Sequence, residues 1–105
     1  RAIPRRRGRR RPPAAEQKKI LAQAARELEL AIPGIFGAAA IDTLERLKLR
    51  RRRGTYFEAK DQLQLHMVAA AVRFVGGDRR LAAKLLGSSL STVKAYARAF
   101  GLARQ

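Results

Sequence analysis

Between Gly77 and Leu102 the chain reads GDRRLAAKLLGSSLSTVKAYARAFGL, two Ala-rich apolar runs parted by Gly87-Ser88-Ser89. One helix through this region would carry a glycine and two serines at its midpoint and lose helix propensity at each. Two short helices fit better. Asp78 is suited to cap the first, Arg79 to Leu86, with Ala82, Leu85 and Leu86 facing inward. Gly87 permits the left-handed conformation that closes a helix. Ser88, Ser89 or Ser91 can cap the second, in which Val93, Ala97 and Phe100 recur at steps of four and three before Gly101 ends it. Two helices folded across a Gly-containing turn make a helix-turn-helix.

The upstream chain also reads as helix. Pro13 suits a first helical turn, and Pro33-Gly34 is expected to stop the run from Ala14 to Ile32, whose Leu21, Ala25, Leu28 and Ile32 share one face. Phe36 to Arg53 is expected to form a second helix with an inward stripe of Ala40, Ile41, Leu44 and Leu47. Its acids, Asp42 and Glu45, come early, and Lys48 and Arg50 to Arg53 come late, as the helix dipole favours. Residues 14–53 are thus expected to form a two-helix region, suited to a core or to dimerisation. Gly54 then breaks the chain, and Thr55 with Glu58 matches a capping box. The following helix, Tyr56 to about Val75, carries Leu63, Met67, Ala70 and Phe74 on one face with Phe57, Val68, Ala71 and Val75 beside them. Such a wide apolar surface suits a central helix with two neighbours; Gly76-Gly77 ends it. No segment alternates as a strand does. The expectation is an all-α fold: a basic arm over 1–13, a two-helix region over 14–53, and a long helix plus helix-turn-helix over 54–105.

Charge narrows the partner. Lys and Arg number 24 against 8 Asp and Glu, a net +16. Such an excess repels itself and suits a polyanionic partner, nucleic acid first and an anionic membrane surface second. The arm Arg1 to Pro13, with seven arginines and three prolines, cannot bury enough surface to order itself. It reads as a flexible basic arm or as a solvated linker, and either binds phosphates. Arg5, Arg6, Arg7, Arg9, Arg10 and Arg11 are candidates for phosphate or minor-groove contact. Arg50, Arg51, Arg52 and Arg53 read equally as a solvated helix end or as phosphate ligands.

Several classes are disfavoured. The longest uncharged apolar stretch, Leu30 to Ile41, is broken by Pro33, Gly34 and Gly37 and is too short to span a bilayer. The basic N-terminal run leads into prolines and charge rather than a signal peptide's apolar segment. The chain has no cysteine and one histidine, His66, which excludes disulfides and thiolate sites, fits a reducing compartment, and leaves no His-based metal site. No nucleophile has a base beside it, no carboxylates pair and no loop cradles phosphate, so neither an enzyme nor a cofactor is expected.

A helix-turn-helix sets its second helix in the major groove, N-terminal residues nearest the base edges. The outer face there is Ser89, Leu90, Ser91, Lys94, Ala95 and Arg98. Thr92 and the serines can donate to phosphates or bases, and Lys94 and Arg98 can reach phosphate or guanine. Arg79, Arg80 and Lys84 on the first helix would flank the backbone, and Ala82 and Ala83 let the two helices cross closely.

Gly77-Asp78, Ala82-Ala83, Leu85-Leu86-Gly87, Thr92-Val93 and Phe100-Gly101-Leu102, spaced without gaps, resemble the C-terminal helix-turn-helix of the Fis (factor for inversion stimulation) family. The same module closes many bacterial enhancer-binding activators. The resemblance covers roughly residues 56–102. It implies DNA contact at Asp78, Arg80, Ser89, Thr92 and Lys94, and a homodimer built on the upstream helices that bends double-stranded DNA. It also implies a bacterial or phage transcriptional regulator or architectural factor in the cytoplasm, at the nucleoid. Leu90 stands where the family often has Arg, Ala95 where a basic residue is common, and Ser88 where Ile or Val plugs the turn. The bases read would then differ from the family's, or sequence readout would be weaker. Two other readings stand beside this one: a protein-interaction or assembly module, favoured by Leu90 on the outer face, and an RNA-binding structural protein that uses the arm.

Overall fold

The computed structural model of the chain describes residues 13–49 and 54–99. These form four α-helices and no strand: α1 (Ala14–Lys48), α2 (Thr55–Phe74), α3 (Arg79–Leu86) and α4 (Leu90–Ala99). The all-α expectation holds.

The expected break at Pro33-Gly34 is absent. α1 runs unbroken for 35 residues with Pro33 inside it, about 50 Å of helix. A proline in a helix interior loses one backbone bond, here to Glu29, and crowds the turn before it. Packing on both sides outweighs that loss. Ala24, Ile35, Ala39 and Thr43 are buried, and their spacings of eleven, four and four keep one face in phase across the proline. The two-helix N-terminal region is therefore a single helix.

The inward stripe expected over residues 40–47 is also corrected. Ile41 and Leu44 are 63% and 60% exposed, and Ala40 is exposed too. The face that meets α2 is set by Ile35, Ala39 and Thr43 instead, roughly opposite on the helix.

α2 is central as expected, but packs against all three other helices. Its start differs from the capping box. Gly54, at φ +123°, precedes the helix with no side-chain cap, and Glu58 is buried at 1% exposure, its Oε1 accepting from Arg46 Nε at 2.9 Å. A carboxylate out of water needs such a partner, so Glu58 binds α1 to α2 rather than capping its own helix. A second link joins the same helices: His66 Nε2 lies 2.7 Å from Asp42 Oδ2. His66 thus serves as a structural tie.

The apolar core lies where the N-terminal half of α1, the C-terminal half of α2, α3 and α4 converge. Ala24, Ala71, Ala82, Val93 and Ala97 have no exposed surface, with Val68, Val72, Val75 and Leu81 around them and Ile20, Leu21, Phe74 and Leu86 at the edge. Alanines at the crossings let the helix backbones approach closely, at the cost of little apolar area per residue.

Candidate nucleic-acid interface

The two corners around α3 use one design. Gly76 and Gly87 take φ +76° and +72°, the left-handed region open to glycine. At the first, Gly77 N–H donates to Val72 O at 2.8 Å and Gly76 N–H to Arg73 O at 3.1 Å; at the second, Ser88 N–H donates to Ala83 O at 3.1 Å and Gly87 N–H to Lys84 O at 3.3 Å. Both are Schellman closures. Each is followed at once by a cap. Asp78 Oδ1 accepts from Arg80 N–H at 3.0 Å and Leu81 N–H at 3.2 Å. Ser89 Oγ accepts from Thr92 N–H at 3.2 Å, so Ser89 is the cap among the three candidate serines. The chain therefore does fold back at Gly87.

α4 docks through Val93 and Ala97, both fully buried, and through Tyr96, which is half-buried beside the core. The Tyr96 hydroxyl reaches back across α2 to Asp61 Oδ1 at 3.2 Å and to Gln64 Oε1. This ties the middle of α4 to the scaffold and leaves Tyr96 unsuited to serve as a base-stacking platform. These partners lie more than thirty positions away in the sequence, where no local pattern marks them.

The remaining face of α4 is free of the protein. Ser91, Lys94, Ala95 and Arg98 are all exposed and fall within about 100° of arc. Leu90 and Thr92 are half-buried on its two flanks. Ser89, Ser91 and Thr92 form a hydroxyl cluster at the helix start, with Ser89 Oγ 2.9 Å from Thr92 Oγ1 and 3.3 Å from Ser91 Oγ. On α3, Arg80 and Lys84 are exposed and Arg79 is half-buried. Asp78, expected near DNA, has its carboxylate engaged as the cap. The arginines at 5–7, 9–11 and 50–53, and Phe100 to Leu102 of the motif, lie outside the described residues.

Electrostatically this end is one-signed. After Asp78 the sequence contains no acidic residue. The ion pairs described above belong to α1 and α2, whereas Arg80, Lys84, Lys94 and Arg98 have none among the described residues. A shallow cleft of about 300 Å³ lies beside this face, lined by Gln17, Asp78, Arg80, Lys84 and Leu90 among others. Gln17 went unnoticed in the sequence because nothing local marks it. Gln17 lies in the first turn of α1, four residues after Pro13, so α1 begins beside the helix-turn-helix. Among the described residues no three potential metal ligands lie together, and no helix is long and apolar enough to cross a membrane. Compared with known proteins, the chain matches no family model, no curated protein and no solved structure.

Proposed function

We propose that the chain binds double-stranded DNA through α3 and α4, with α4 in the major groove, as a bacterial or phage Fis-type transcriptional regulator or DNA-bending architectural factor acting at the bacterial nucleoid. The observation that carries this reading is the acid-free face of α4, where Ser91, Lys94, Ala95 and Arg98 stand exposed beside Arg80 and Lys84. Its small residues allow the helix to sit deep in a groove, and its cations lie one turn apart to meet phosphate or guanine. The hydroxyls at the α4 N-terminus suit a backbone phosphate, since helix N-termini attract anions. Arg80 and Lys84 would hold the flanking backbone. The arginines preceding Pro13, where the chain leads into α1 beside the cleft, would add phosphate or minor-groove contacts. A homodimer would bring two such helices to one duplex. Of the alternatives, assembly through protein contacts draws support from a different part of the molecule, the outer side of α1.

The test is anisotropy titration of the chain against a selected duplex and a scrambled one, for wild type, Lys94→Ala and Thr92→Ala. The expected outcome is a loss of about 1–3 kcal/mol on the selected duplex, with less on the scrambled one. Equal losses on both duplexes would remove α4 from a recognition role. Absence of any salt dependence would remove DNA binding altogether.

A further inference from the structure

The first turn of α2 holds two aromatic rings out in solvent: Tyr56 is 69% exposed and Phe57 49%. A ring stabilises a fold by being buried, so the outer part of this pair does little for the chain itself. The ring centroids are 5.2 Å apart and the planes meet at 73°, an edge-to-face contact that holds the two rings against each other. Lys60, one turn on, places its Nζ 5.7 Å from both centroids, within reach of a cation–π contact. The acids nearby are engaged elsewhere. Glu58 is buried against Arg46, Asp61 accepts from the Tyr96 hydroxyl, and Glu45 near the end of α1 pairs with Lys48. The exposed residues at the start of α2 are Thr55, Tyr56, Phe57, Ala59 and Lys60, an aromatic and cationic surface with no acid in it.

We infer that Tyr56, Phe57 and Lys60 form an additional nucleic-acid site that takes single-stranded DNA, stacking bases on the rings and pairing phosphate with the ammonium. The chemistry of the three side chains selects this occupant. An aromatic ring accepts any base on its face, and a nearby cation tracks the backbone. Every nucleotide brings one phosphate with its base, which matches rings that share one ammonium. A duplex fits poorly, because its bases are already enclosed in their own stack. The angle between the rings points the same way. Bases stacked on both rings could not lie parallel, and only an unpaired strand allows that. A lipid surface is the poorer match, since sinking the rings would draw the Lys60 ammonium towards hydrocarbon. The net charge of +16 favours a polyanion over a protein partner. Tyr96 on α4 is held by Asp61 and Gln64, so stacking falls to α2. The stacking site stands whatever α4 binds; only the choice of DNA over RNA rests on the reading of α3 and α4.

The experiment is anisotropy titration of the full chain with labelled oligo-dT, oligo-U and an abasic strand of the same length, with circular dichroism as a control for folding. The abasic strand carries the phosphates that a basic arm binds but no bases. Oligo-dT is expected to bind about tenfold tighter than the abasic strand. Tyr56→Ala and Phe57→Ala are each expected to weaken oligo-dT about tenfold, while Tyr56→Trp retains the affinity. Lys60→Ala is expected to flatten the plot of log affinity against log salt by about 0.7. The chain has two tyrosines and no tryptophan, so Tyr96→Phe leaves Tyr56 as the one tyrosine that emits. Its fluorescence is expected to be quenched by oligo-dT and not by the abasic strand. Emission that oligo-dT leaves unchanged, or an affinity indifferent to Tyr56→Ala and Phe57→Ala together, overturns the site. Binding of oligo-U about tenfold tighter than oligo-dT overturns the assignment to DNA. Loss of phosphatidylserine vesicle binding in Tyr56→Ala, with oligo-dT affinity intact, gives the rings to lipid instead. Lys94→Ala is expected to leave oligo-dT binding unchanged, so a failure of α4 as a duplex reader shows separately.

Discussion

At the scale of single residues, two positions concentrate the cost of the fold. Gly87 sits at φ +72° with open space where a Cβ would go, so a side chain there suffers from backbone conformation alone. Gly87→Ala is expected to lower stability by about 1–2 kcal/mol, read as a shift of the urea midpoint with an unchanged slope; an unmoved midpoint would show that the corner tolerates alanine. Glu58 illustrates the opposite kind of constraint, a charge held out of water by an arginine that is itself 49% exposed. Removing that arginine leaves the carboxylate with less compensation, although water reaching the site softens the effect. Arg46→Ala is expected to cost about 1–3 kcal/mol, and Glu58→Gln with Arg46 intact less, in the same urea titration. A neutral Arg46→Ala would mean that the pair contributes nothing.

At the scale of elements, α1 is the least expected feature and α3–α4 the most legible. The helix-turn-helix could be read because its signals are local: a left-handed glycine, a cap one or two residues later, and a short inward stripe. Asp78, Gly87 and Ser89 act on backbone groups within five residues of themselves. α1 could not be read this way, because what carries it through Pro33 is its packing on α2, remote in sequence. Periodicity picked out the apolar spacing of Ile41 and Leu44 but placed that side inward, because it could not say which side of the helix another element would cover. The capping box failed for a similar reason: Glu58 has a partner twelve residues upstream. Continuity of α1 has a measurable consequence. Pro33→Ala restores a backbone donor in mid-helix, and the gain is reduced by the greater freedom it gives the unfolded chain. The net expectation is a rise of about 1–2 kcal/mol in unfolding free energy by urea titration. A fall would show that the packing of α1 requires the proline.

At the scale of the whole molecule, charge and shape are divided. Ion pairs tie the α1–α2 hairpin together, while the helices α3 and α4 themselves carry basic but no acidic side chains, with Asp78 at their edge engaged as the α3 cap. The molecule is 50 Å in its longest dimension, and its exposed large apolar side chains lie on the α1–α2 hairpin rather than on α3 and α4. If the arginines before Pro13 reach phosphates, a chain beginning at Ala14 is expected to bind every duplex more weakly. The plot of log affinity against log salt should flatten by about 0.9 for each phosphate that is no longer neutralised, with the preference for the selected duplex preserved. A truncated chain with an undiminished salt slope would confine the arm to a linker role.

The twin corners at Gly76 and Gly87 also bear on how such a chain changes over time. Both are built from backbone hydrogen bonds and the caps Asp78 and Ser89, and α4 is anchored by Val93, Tyr96 and Ala97. Of the side chains at 91, 94, 95 and 98, only Ser91 touches that framework, through its hydroxyl 3.3 Å from Ser89 Oγ. Those four sites can be rewritten at little cost to folding, which would let one scaffold be redirected from target to target by exchanging a few outward letters.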